Sequence, residues 1–140
     1  MKSRLFCTLL IIVGSQVFGA RPEPQAQIDD FFHALGAKGA SAAIETLCKG
    51  TLLESQKGSQ LVALAPQFDA AIKIYGKVDR TENVEKKVFG ASFVRFRVIS
   101  YHATGSPLFW EFMFFKGKNE WQIYIFQFND QIYKVFNSAN

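Results

Sequence analysis

Between Val84 and Phe128 the chain carries three long, aromatic-rich runs in succession: F-V-R-F-R-V-I-S-Y-H (93–102), L-F-W-E-F-M-F-F-K (108–116) and W-Q-I-Y-I-F-Q-F (121–128). Gly and Pro punctuate the gaps, as A-T-G-S-P and G-K-N-E. Aromatic and β-branched residues suit a pleated, half-buried surface, and turn residues at the joints suit short connections. The runs predict an antiparallel meander. It is apolar on both faces, so both faces need a cover.

What precedes the meander reads as helix. Ile28, Phe31, Phe32 and Leu35 fall at i, i+3, i+4 and i+7, which predicts a helix over 25–35 stopped by Gly36. A second helix is expected over 39–48, with Ile44, Leu47 and Cys48 on one side. A third starts near Glu54 or Ser59, and Pro66 is expected to break it before a further helical stretch carrying Phe68, Ala71, Ile72 and Tyr75. Gly76 reads as its cap. The polar stretch 77–89 (K-V-D-R-T-E-N-V-E-K-K-V-F) reads as a strand pair or one bent strand at a charged sheet edge. Helices first and a sheet second predict an α+β fold, with N-terminal helices packed on a curved antiparallel β-sheet of four to six strands.

The first 20 residues read as an export signal. Lys2 and Arg4 form a basic start, Leu5 to Val13 an apolar stretch, and Gly14, Ser15, Gly19 and Ala20 the small residues near a cut. Cleavage after Gly19 places Val17 at the −3 position, whereas cleavage after Ala20 places the bulkier Phe18 there. The expected organisation is a signal over 1–20 and one domain over 21–140, exported to the periplasm or secreted, with no membrane span in the mature chain. Losing Lys2 and Arg4 lowers the formal charge from +4 to +2. With no basic stripe, nucleic acid is not an expected partner. Only Cys48 remains after cleavage, so no internal disulfide can form. Cys48 reads either as a small apolar residue on a helix face or as a reactive thiol.

A four-residue loop at 117–120 pairs Lys116 with Trp121, and then Phe114 with Ile123, Phe112 with Ile125 and Trp110 with Gln127. That face is assigned to the helices. Phe109, Glu111, Met113, Phe115, Gln122, Tyr124, Phe126 and Phe128 are assigned to the other.

Three helical segments, a curved meander, the junction I-Y-G-K-V-D-R and the ending W-Q-I-Y-I-F-Q-F-N-D together resemble the NTF2-like superfamily, the cystatin-like α+β roll, in its small exported bacterial members. The resemblance implies a cone with a pocket between helices and concave sheet, and dimerisation through the other face. It carries over no catalytic residue.

The candidate chemistry is thin. Glu111 sits mid-strand among rings, where a desolvated carboxylate suits acid/base work; the alternative is a cross-strand ion pair with Arg95 or Arg97. The first hairpin turns at 103–107, and only one of its two registers puts those arginines on the face of Glu111. Arg95 and Arg97 are also candidates to clamp an anionic ligand. His102 can titrate near neutrality but reads as an exposed strand end. Tyr75 and Tyr124 can present hydroxyls to a cavity or pack as core rings. His33 with Asp29 and Asp30 lacks a second histidine at ligand spacing, so no metal and no cofactor is expected. The leading expectation is a non-catalytic module that binds a small apolar or anionic ligand (Arg95, Arg97, Glu111, Tyr124, Tyr75) or a partner protein, as a homodimer through the sheet. The alternatives are an isomerase- or dehydratase-like enzyme with Glu111 as acid/base, assisted by Tyr124 or His102, and a structural subunit of an envelope assembly.

Overall fold

The structure is a computed structural model and describes residues 20–131. The expected signal segment lies outside these residues, apart from Ala20. Three helices come first: α1 (Pro24–Lys38), α2 (Ala40–Cys48) and α3 (Leu52–Tyr75). Four strands follow: β1 (Val78–Phe89), β2 (Phe93–His102), β3 (Pro107–Lys116) and β4 (Trp121–Asn129). They form one antiparallel sheet in the order β1-β2-β3-β4. The α+β arrangement stands as the sequence predicts. Among the described residues, no helix is long and apolar enough to cross a membrane.

The helix ends follow from local chemistry. α1 opens with Pro24 at its start, where a missing N–H costs nothing. Thr51 caps α3: its hydroxyl accepts from the Glu54 N–H at 3.3 Å, while the Glu54 carboxylate accepts from the Gly50 N–H at 2.7 Å. The T-L-L-E spacing is thus a capping-box variant, and it starts α3 earlier than the apolar periodicity indicates. Pro66 does not break the helix. The interruption falls at Lys57 (φ −133°, ψ 25°), beside Gly58. Val62 and Pro66 are both exposed, so water can serve the carbonyl that the proline leaves without a partner. Gly76 ends α3 at φ +83°, and a Cβ there would meet the Ala103 Cβ at 3.1 Å, so both conformation and space demand glycine.

The core lies between the helices and one sheet face. Val94, Phe96, Val98, Leu108, Trp110, Phe112 and Phe114 alternate inward from β2 and β3. Phe31 stands at the centre, edge-on to Trp110 at 5.6 Å, Phe112 at 5.5 Å and Phe68 at 6.4 Å. Such edge-to-face pairs add to simple burial.

The β3–β4 register departs from expectation. Lys116 pairs with Trp121 and Phe114 with Ile123, but Tyr124 is then an extra residue, so Phe112 faces Phe126 and Trp110 faces Phe128. The bulge turns Phe126 and Phe128 into the core and turns Ile125 outward. Core demand for two large rings overrides simple alternation. The polar stretch forms one strand, Val78–Phe89, with register shifts near Asp79 and Val84.

The start of the described chain is tied down. The Arg21 guanidinium donates to the carbonyls of Leu47 and Lys49 at the end of α2, and its backbone N–H donates to Glu120 Oε2 at 3.3 Å. Cations at a helix C-terminus meet its partial negative charge. Nearby, Cys48 is buried on α2, and burial pushes its thiol up to about 12. At pH 8 its thiolate fraction is on the order of 10⁻⁴, so native protein is expected to resist iodoacetamide at Cys48 and to react only on unfolding. Peptide mapping of labelled Cys48 checks this, and native labelling as fast as in urea would refute it.

Candidate functional site

Alternate residues of β2 point away from the helices, and among them are Arg95 and Arg97. Arg97 lies opposite Glu85 on β1 and opposite Glu111 on β3. This is the hairpin register in which the arginines share the face of Glu111. Arg97 Nε donates to Glu111 Oε2 at 3.2 Å and Arg97 Nη1 to Glu85 Oε2 at 3.3 Å. Arg95 reaches Glu85 Oε1 with Nε at 3.0 Å and Nη2 at 2.6 Å. Gln127 Nε2 on β4 donates to Glu111 Oε1 at 3.3 Å. Two cations and two anions form a neutral belt across all four strands. The Arg97 side chain is only 9% exposed, unusually little for an arginine on an outer sheet face.

Burial by itself would raise the Glu85 carboxyl. The Arg95 hydrogen bond and the charges of Arg95, Arg97 and Lys87 outweigh it and hold the group below its ordinary value. A depressed carboxylate adds stability above its unfolded value and loses it as pH falls through the folded one. The melting temperature is therefore expected to fall on acidification from about pH 5 to about pH 2, and Glu85→Gln to flatten that fall. Parallel slopes for the two proteins would remove Glu85 as a contributor.

Rings flank the belt. Phe93, Phe115 and Tyr124 approach one another at 6.0–6.2 Å toward the turn end of the face. Tyr124 and Ile125 are 45% and 42% exposed. Alternation from Gln122 already puts Tyr124 on this side, and the bulge adds Ile125 beside it. Beyond the belt, Arg80 stacks on Tyr101 at 3.6 Å, whose hydroxyl donates to Glu82 at 3.0 Å.

The remaining sequence-stated residues lie apart from this group. His102 is on the inner face and is buried, not exposed as expected. Its Nδ1 is 2.7 Å from the Gly76 carbonyl and its Nε2 2.9 Å from Ser100 Oγ, which also accepts from Trp110 Nε1 at 2.7 Å. A carbonyl only accepts, so Nδ1 carries the proton and Ser100 donates to Nε2. This Ser–His pair is sealed in the core and clasps the end of α3 to the sheet. Parity with Val94, Phe96 and Val98 is the sequence signal that places His102 inward. Tyr75 packs 6.2 Å from His102 and donates to Asp130 at 3.0 Å, a bond that raises the phenol above its usual range. Of the candidates, the structure brings Arg95, Arg97 and Glu111 together, sets Tyr124 near them, and puts Tyr75 and His102 on the opposite face. The residues that sequence reasoning missed are Glu85 and Gln127.

No family model matches the sequence, and no curated protein does. Among solved structures, the chain is similar to a Campylobacter jejuni protein described as a candidate NTF2-like transpeptidase, at 13% identity and a TM-score of 0.59, over 74% of this chain and 99% of that one. The fold is NTF2-like.

In this fold, the space between helices and inner sheet face, where the resemblance implies a pocket, is taken up by Phe31, Phe68, Trp110, Phe112, Phe126 and Phe128. Hollows lie outside it. One of about 360 Å³ between α2 and α3 is floored by Ile44, Cys48, Leu61 and Ala65. Another of about 250 Å³ lies between α3 and β4, lined by Leu53, Lys57, Leu64, Tyr124 and Phe126. Neither is lined by Arg95, Arg97 or Glu111.

Proposed function

We propose that this chain is an exported, non-catalytic interaction module whose outer sheet face docks a second copy of itself. The supporting observation is the internally neutralised Arg95–Glu85–Arg97–Glu111 belt, nearly dry at Arg97 and flanked by exposed Tyr124 and Ile125. Both arginines are already paired with carboxylates, so the belt itself offers an anionic ligand no unspent charge. Glu111 is engaged at both oxygens, which favours a positioning part over acid/base work. A neutral, ring-rich surface suits a self-complementary two-fold contact, where the same patch serves both partners. Export rests on the basic, apolar and small-residue sequence of 1–20.

Sedimentation equilibrium of the full chain is expected to show a dimer over roughly 1–100 µM, and Tyr124→Asp/Ile125→Asp a monomer with an unchanged circular dichroism spectrum. A monomeric parent across that range, or an equally dimeric variant, would sink the reading.

A further inference from the structure

The turn end of the sheet carries a feature that docking through Tyr124 and Ile125 does not explain, although Phe93 there also packs 6.0 Å from Tyr124 on the outer face. Here β1 passes into β2 through K-K-V-F-G-A-S-F (86–93). Val88 is 61% exposed, and Phe89 and Phe93 are 38% exposed each. Apolar side chains are therefore partly exposed at a hairpin end, the place where polar turn residues are usual. The next turn lies alongside, because the Lys116 N–H donates to the Ser92 carbonyl at 2.7 Å.

Lysines outnumber carboxylates around this tip. Lys86 and Lys87 precede it on β1, and Lys116 and Lys118 flank it from the β3–β4 turn. All four are exposed, and none has an ion pair among the described residues. Lys86, Lys87 and Lys116 instead lean over the rings of Phe96, Phe89 and Trp121 at 5.3–5.7 Å. Against them stands one carboxylate of the neighbouring turn, Glu120, which accepts from the Arg21 backbone N–H and from Gln122. Four lysines without an ion-pair partner among the described residues thus stand beside a partly exposed apolar tip, against one carboxylate.

A surface of that composition matches one environment on both counts. The boundary of an anionic bilayer accepts apolar side chains of any shape and presents phosphates to the ammonium groups around them. A folded acidic partner would answer the lysines but would need a hollow cut to fit Val88, Phe89 and Phe93. We infer that this end of the sheet is a membrane-docking tip for an anionic lipid surface, with Val88, Phe89 and Phe93 entering the interface and Lys86, Lys87, Lys116 and Lys118 on the headgroups.

The test is co-sedimentation of the full chain with vesicles of phosphatidylcholine alone or with about one-third phosphatidylglycerol. The segment before residue 20 is common to every variant, so differences between variants report the tip. Lys86→Gln/Lys87→Gln/Lys116→Gln/Lys118→Gln is expected to lower partition onto anionic vesicles about 100-fold or more, at about fivefold per lysine, and high salt to mimic it. In the otherwise native background, tryptophan emission of Val88→Trp is expected to shift blue on anionic vesicles. The four lysine substitutions change only exposed side chains, and circular dichroism checks that the variant folds. Equal partition of parent and quadruple variant, or an unmoved Val88→Trp emission, overturns the proposal. So does loss of self-association in Val88→Asp with vesicle partition unchanged, which would make the tip a contact between copies.

Discussion

Phe31→Ala is expected to cost about 3–5 kcal/mol, the largest effect of any single truncation proposed here. Phe31 is fully buried, and its ring touches the edges or faces of Phe32, Phe68, Trp110, Phe112 and Phe126. Those partners come from α1, α3, β3 and β4, so no one element can move to fill the vacated space. The loss combines the transfer term of a benzyl group with a cavity that stiff rings cannot collapse into. Urea denaturation of parent and variant measures it. Phe32→Ala is the internal control: Phe32 is half-buried on the same helix and should cost clearly less. A Phe31→Ala cost below about 1.5 kcal/mol would mean that the layer between helices and sheet is not closed as described.

Arg97→Met comes second, at about 2–3 kcal/mol. The substitution keeps an apolar stem of similar length but leaves Glu111 Oε2 without its cation on a side chain only 17% exposed, while Glu85 keeps Arg95. Removing one member of a withdrawn ion pair costs more than removing both, because the survivor keeps its desolvation cost and loses its partner. Arg97→Met/Glu111→Met should therefore be less destabilised than the sum of its single variants, and the double-mutant cycle gives the coupling directly. Arg95→Met should cost less, since Glu85 retains Arg97 and Arg95 is the more exposed of the two. Strict additivity of the Arg97 and Glu111 variants would show that the belt is an accident of proximity.

Much of the fold was legible because the chain says the same thing at several levels. Helical spacing at Ile28, Phe31 and Leu35, period-two alternation at Val94, Phe96 and Val98, and glycines at 76 and 105 agree with one another. The faces of β4 were not legible, because W-Q-I-Y-I-F-Q-F is apolar at both parities and only the packing of Phe126 and Phe128 against Phe68 and Trp110 decides where the extra residue goes. Half of the belt was legible for the same kind of reason. Arg97 and Glu111 belong to adjacent hairpin strands, so counting back from the turn reaches them in one of the two registers the sequence leaves open. Glu85 takes its place only after the shift at Val84, which no local signal announces. His102 was misjudged by residue type, although its parity with Val98 and Ser100 already placed it inward.

The shifts near Asp79 and Val84 and the extra Tyr124 fall on β1 and β4, the two outermost strands of the described sheet. Each bends its rim away from the flat, evenly spaced ladder on which a stray strand could zip. A chain this rich in phenylalanine is thereby hindered from polymerising sideways, and encounters with other molecules are steered to its broad surface and its loops.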